Sequence, residues 1–190
     1  MEAALQVLLP KLLGSTSFSL HPHQGKDDLL AKLPGKLSAY AKWMPTTYRA
    51  VVVIDRDNDD CTQLKTKIES MARNAGLSTR TSSRREWRFV SRFAIEELEA
   101  WYFGDWTAVR AAYPKVAAGI PRKSAFRDPD AIAGGTCEAF ERVLQDAGYF
   151  STGLRKIEVA RAVAAHMEPR RNVSTSFRAF AAVLRMLASP

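Results

Sequence analysis

Four aspartates within six positions close the stretch RAVVVIDRDNDD, residues 49–60, directly after the apolar run Val51–Ile54. Carboxylates this close repel one another, and a bound divalent cation relieves that repulsion. Mg²⁺ asks for hard oxygen ligands in octahedral geometry, and one or two carboxylates commonly hold it while water and a substrate phosphate complete the shell. Asp55 and Asp57, two apart where an apolar strand gives way to loop, fit a Mg²⁺ or Mn²⁺ pair. Asp59 and Asp60 read first as caps of a helix beginning near Cys61, where carboxylates accept orphan amide protons and meet the helix dipole. Asp59 is also placed to extend the metal pair to three acids.

Other acidic-loop motifs fit less well. A calcium-binding helix–loop–helix matches Asp55, Asp57 and Asp59 but needs glycine where Asp60 stands and glutamate where Thr66 stands. A haloacid-dehalogenase-like phosphatase also starts with an aspartate pair after an apolar strand, yet usually carries Thr or Val where this chain has Asp59. A sugar-nucleotide transferase with an Asp-x-Asp site stays open, without further support.

A second acidic cluster lies in AIEELEAWYFGD. At helical spacing Glu96 and Glu99 share a face and Glu97 points elsewhere. Trp101, Tyr102 and Phe103 follow at once, so these glutamates border a large apolar block. Acids that complement a helix dipole are the competing explanation. The densest basic segment is RTSSRREWRFVSR, with Arg80, Arg84, Arg85, Arg88 and Arg92 against the single Glu86. Such a segment suits phosphate contacts, and Trp87 and Phe89 are placed to stack on bases. A solvated arginine-rich edge is the plainer reading. Lys26 follows Gly25 and precedes a helix, a position that can meet a phosphate. His21 and His23 have no third ligand nearby.

These groups need elements to hold them. Leu5, Leu8, Leu9, Leu12 and Leu13 share a face, so residues 2–13 read as a helix that Pro10 interrupts and Gly14 ends. Residues 16–23 alternate weakly, as a strand does. GKDDLLAKL starts a helix, VVVID reads as a strand buried on both faces, and Leu64, Ile68, Met71 and Ala72 mark a helix ending at Gly76. WRFVSRFA is a further strand. Later helices are expected with Asp105, Thr136 and Ser174 as their caps. Strands alternating with helices in the first hundred residues predict an α/β fold with a mainly parallel sheet, followed by a helical extension. In such sheets ligands sit at the carboxyl ends of strands, where Asp55 stands.

Composition bounds the rest. The chain has 190 residues, 46% hydrophobic and 25% charged, enough for one domain with a real core. No apolar run is long enough to span a bilayer, and the N-terminus does not read as a secretory signal. Two cysteines, Cys61 and Cys137, form neither a disulfide framework nor a zinc set, which predicts a cytoplasmic protein with free thiols. Residues 1–60 balance seven basic against seven acidic residues, so the net charge of +8 lies wholly in residues 61–190.

The blocks HPHQGKDDLL, VVVIDRDNDDC, FAIEELEAWYFGD, FRDPDAI and NVSTSFRAF resemble, in order, those of a Toprim-like bacterial family described as a domain of unknown function. Its members are often encoded beside an ABC-type or AAA ATPase. The resemblance implies a Toprim-like domain over residues 1–113, with a mainly parallel sheet flanked by helices, and a helical extension over 114–190 packed on it. It further implies Asp55 and Asp57, with Asp59, as the Mg²⁺ or Mn²⁺ ligands and Glu97 and Glu99 as additional catalytic acids. Arg80, Arg84, Arg85, Arg88 and Lys26 would meet DNA or RNA. The family pattern opens with a strand ending in glutamate, and MEAALQVLLPKLL resembles the helix after it, so that strand is expected upstream. The implied function is a metal-dependent nuclease working with an ATPase partner, with anti-phage defence as the setting the resemblance suggests. The alternative is a non-catalytic nucleic-acid-binding or regulatory subunit of that ATPase.

Overall fold

The apolar run before the aspartates forms strand β1, Ala50–Asp55. It pairs in parallel with β2, Phe89–Ala94, and these two strands make up the sheet. The computed structural model describes residues 1–188. The chain divides into two compact units, one of residues His21–Phe93 and one of Met1–Leu20 with the chain from Ala94 on.

In the first unit, helix α2 (Gly25–Trp43) leads into β1, and helix α3 (Cys61–Asn74) follows it. α3 buries Leu64, Ile68 and Ala72, and α2 packs against it with Leu33 and Leu37 buried. Val52 and Ile54 of β1 are fully buried while Val51 and Val53 are only half-buried, so one face of this strand is better covered than the other, unlike a two-sided core strand. β2 is buried on both faces except at Arg92. An isolated parallel bridge joins Thr79 to Phe89. The weakly alternating residues 16–23 form no strand. Pro22 has no amide to donate, and the amide of Gln24 and the ring of His23 both turn to the Asp28 carboxylate, each at 3.1 Å. The α/β reading holds, with a smaller sheet than expected.

The second unit is helical. Helix α1 (Glu2–Leu13) presents its leucine face to α7 (Lys156–His166) and α8 (Thr175–Ala188). Lys11 donates to the carbonyls of Ala164, Ala165 and Met167 at 2.9, 2.7 and 3.0 Å, closing the end of α7 with a cation where the dipole favours one. Helices α4 (Glu99–Gly104), α5 (Trp106–Ala112) and α6 (Thr136–Asp146) complete the unit, with two 3₁₀ turns at Ile120–Arg122 and Ser124–Phe126.

The aromatic block after the glutamates is the core of this unit. Trp101 stacks on Phe180 with centroids 4.9 Å apart, and Phe103 stacks on Phe126 at 5.3 Å. The NVSTS segment locks onto the same block. Asn172 donates to the Trp101 carbonyl at 2.8 Å, Val173 to the Gly104 carbonyl at 2.8 Å, and the Trp101 indole to Ser176 Oγ at 3.0 Å. Asp130, from FRDPDAI, accepts from both serine hydroxyls at the start of α8, at 2.9 Å from Ser174 and 2.7 Å from Ser176. Three of the sequence blocks therefore meet in one hydrogen-bonded joint. Among the described residues no helix is long and apolar enough to cross a membrane.

Candidate functional site

The aspartates divide into distinct roles. Asp55 ends β1, half-buried, with one carboxylate oxygen shielded from solvent. Asp57 follows in the left-handed region at φ 51°, a conformation that aspartate tolerates better than most residues, and Asp59 closes the turn with its amide on the Arg56 carbonyl. This turn carries the Asp57 and Asp59 carboxylates to one point, where both meet the Lys26 ammonium, at 2.5 and 2.8 Å. Lys26 also donates to the Arg56 carbonyl at 3.3 Å, so the first turn of α2 grips the loop after β1. Asp60 caps α3 through the Gln63 amide at 2.8 Å, as its position suggested. Burial acts to lower the Lys26 pKa, and the hydrogen bonds and charges of Asp57 and Asp59 outweigh it, leaving the ammonium raised above its usual 10.5. Two carboxylates thus already converge on one cation at a strand's carboxyl end.

The glutamates lie in the helical unit. Helix α4 starts only at Glu99, so Glu96 and Glu97 precede it and the helical face expected to join Glu96 with Glu99 does not form. Glu97 and Glu99 come together instead. With Cys137 they make the one group of three or more His, Cys, Asp or Glu side chains, among the described residues, whose ligand atoms lie within 4.8 Å of one another. Glu97 accepts from the Cys137 amide at 3.0 Å and so caps α6. Thr136, expected as that cap, is instead the first residue of the helix after Gly135, and its buried hydroxyl has no hydrogen-bond partner among the described residues. Lys156, the first residue of α7, is the cation that acts on the Cys137 thiol. Burial pushes that thiol up to about 11, the Glu99 charge adds to the rise, and Lys156 opposes it. Burial acts to lower the Lys156 pKa, but Cys137 and the two glutamates raise it above 10.5 overall.

A family described as a domain of unknown function, DUF4276, matches residues 1–185. The chain belongs to that family. No curated protein and no solved structure matches it.

Within this DUF4276 chain, sequence order conceals which site residues meet. Asp57, Asp59 and Lys26 come together, and so do Glu97 and Glu99. Arg84 and Arg85 are exposed, whereas Arg80 is half-buried. Arg88 is half-buried too, and its guanidinium donates to the carbonyls of Met44 and Pro45, tying down the loop before β1. Trp87 and Phe89 are in the core, closed to any base. From the sequence Cys137 is only a free thiol and Lys156 carries no signal. They lie about forty and sixty residues beyond the glutamates, and no spacing motif links them.

Proposed function

We propose that this DUF4276 chain is a Toprim-like, divalent-metal-dependent phosphodiester hydrolase acting on DNA or RNA. The observation that carries the reading is the convergence of Asp57 and Asp59 on a single cationic nitrogen at the carboxyl end of a parallel strand. Hard carboxylate oxygens already gathered around one positive charge suit Mg²⁺ or Mn²⁺, and Asp55 at the strand end is the third acid of the set. When bound, such an ion acts as a Lewis acid toward phosphate and lowers the pKa of its water. The loop's part is to hold its carboxylates fixed, through the turn at Asp57 and the Asp60 cap. Arg84 and Arg85, exposed on the same unit, supply cations for the flanking phosphates. Glu97 and Glu99 are additional acids by resemblance alone, and Glu97 is also engaged as the cap of α6. The ATPase partner, a cytoplasmic setting and a role in anti-phage defence are carried by resemblance alone.

A second reading rests on the same lysine. Lys26 already occupies the carboxylates that a metal would need and offsets part of their charge, as expected of a non-catalytic binding or regulatory subunit that keeps the fold. The two readings separate in one assay. Purified full chain is incubated with single- and double-stranded DNA and RNA in Mg²⁺ or Mn²⁺, with Asp57→Ala, Asp59→Ala as the control. Cleavage by the parent that the double variant loses supports the hydrolase. Binding without cleavage under every condition overturns it in favour of the regulatory subunit.

A further inference from the structure

The arginine segment lacks accessible aromatics of its own, because Trp87 and Phe89 are 3% and 0% exposed. The exposed rings of this unit are elsewhere. Trp43, the last residue of α2, is 63% exposed, and Tyr48, in the loop leading to β1, is 55% exposed. The two rings are five residues apart, one ending α2 and the other in the loop that follows it. Trp43 is not loosely held, since Tyr40 meets it edge-on with centroids 5.7 Å apart.

The loop that carries these rings is bound to the arginine segment. Arg88 reaches the carbonyls of Met44 and Pro45, and the Ala50 amide donates to the Arg88 carbonyl at 2.9 Å. Arg49 lies over the Trp87 ring, 5.6 Å from its centroid, and donates to the carbonyls of Thr46 and Tyr48 at 2.6 and 2.9 Å. Arg49 and Arg88 are therefore the fasteners of this surface. Lys42, next to Trp43 in the chain, is exposed, as are Arg84 and Arg85, four and three residues before Arg88, and Glu86 is the one acid in residues 80–92.

We propose that this face binds single-stranded nucleic acid, with bases stacking on Trp43 and Tyr48 and phosphates meeting Lys42, Arg84 and Arg85. Exposed rings on a loop fastened to an arginine-rich segment match a chain that offers both base faces and phosphates. A duplex keeps its base faces stacked inside, so exposed rings gain nothing from it, whereas an unpaired strand offers every base. The inference takes from the proposed function only that the ligand is a nucleic acid, and it adds the strand state and the residues that read it.

The test uses the full chain in EDTA, so that binding is measured apart from any cleavage. Fluorescence anisotropy follows labelled oligo-dT, oligo-U, a duplex and an abasic oligonucleotide over a range of salt. The parent should bind the two single strands more tightly than the duplex. Trp43→Ala and Tyr48→Ala should each weaken single-strand binding by roughly ten-fold, from the usual worth of a stacked base, and Trp43→Phe should recover most of the loss. Neither alanine variant should change abasic binding. Arg84→Ala, Arg85→Ala should flatten the log–log salt slope by about 0.7 for each phosphate no longer neutralised. Both rings are exposed, so circular dichroism and urea midpoints should match the parent. Equal affinity for single strand, duplex and abasic chain overturns the proposal, as does unchanged single-strand binding in both alanine variants. No binding at low salt by the folded protein also overturns it and leaves the face to a protein partner. Trp43-dependent binding without cleavage in Mg²⁺ or Mn²⁺ leaves this inference standing and defeats the hydrolase. Cleavage with no effect of either Trp43→Ala or Tyr48→Ala on binding does the reverse.

Discussion

The ammonium of Lys26 lies 2.5 Å from Asp57 Oδ2, joining the first turn of α2 to the loop after β1. Asp59 shares that ammonium, so the loop is held shut by an internal cation.

Lys26 and a metal ion compete for the same carboxylates. Lys26→Met should therefore bind Mn²⁺ more tightly than the parent by calorimetry, and Asp57→Ala, Asp59→Ala should bind it least. Equal Mn²⁺ affinity in parent and Lys26→Met sinks the competition. Asp57 and Asp59 are 44% and 46% exposed, so Lys26→Met should change stability by no more than about 1 kcal/mol. The folded Lys26 pKa is raised, so its contribution is complete below the unfolded value of 10.5 and disappears as pH rises through the folded one.

Local pattern carried much of the fold. The leucine face of α1, the β-branched run of β1, and the Asp60, Asp105 and Ser174 caps are signals within a few residues, and each is where the periodicity or cap chemistry puts it. Distant partners defeated the same reasoning. Thr136 lost its capping role to Glu97, a residue 40 positions away from Cys137 in the chain. The strand expected over residues 16–23 does not form, and the chain from His23 to Gln24 is drawn onto Asp28 in the first turn of α2 instead. The interleaving of Trp87 and Phe89 with arginines reads like a binding motif, but alternation in a strand equally places one set of side chains in a core. The pattern assigns Asp57 to a metal and Asp59 first to a helix cap, whereas both carboxylates meet Lys26, a lysine whose position suggests a phosphate, and Asp60 alone of the Asp59–Asp60 pair is the cap.

Gly104 is the tightest point of the joint between α4 and the NVSTS segment. A Cβ there would lie 2.2 Å from Asn172 Oδ1 and 2.9 Å from the Ser174 amide nitrogen, which is backbone and cannot swing aside. Gly104→Ala should destabilise by about 1–3 kcal/mol, the usual cost of overpacking, despite alanine's better helix propensity. A urea midpoint equal to the parent's refutes this.

Asp105 has a fully buried side chain that serves three partners. It accepts from the Ala108 amide at 3.3 Å, from the Glu168 amide at 2.8 Å and from Arg171 Nε at 2.6 Å. Asp105→Ala removes a helix cap and strands a second amide, at a combined cost of about 2–4 kcal/mol. Arg171→Ala should cost less, because the arginine is 42% exposed and its loss leaves both amide bonds to Asp105 in place. Thermal melts of the two variants give the order, and an Arg171→Ala protein less stable than Asp105→Ala contradicts it.

Cys137 makes a prediction about pH. Its thiol is pushed up to about 11 by burial, with Glu99 adding and Lys156 opposing. The thiolate is the nucleophile, so iodoacetamide at neutral pH should label the half-exposed Cys61 in the native protein and reach Cys137 only in urea. The same shift sets a slope in stability. Between pH 9 and 11 the unfolded chain has given up this proton while the folded chain keeps it, so stability falls as pH rises. Lys156 adds a loss of the same sign above 10.5, and Tyr113, raised to about 12 by burial, adds another above 10. Measured between pH 9 and 10, below both of those, the urea midpoint of the parent should fall, and that of Cys137→Ser, which has no thiol to titrate, should fall less. Parallel curves for the two proteins across that interval would show that the thiol is not the group that titrates.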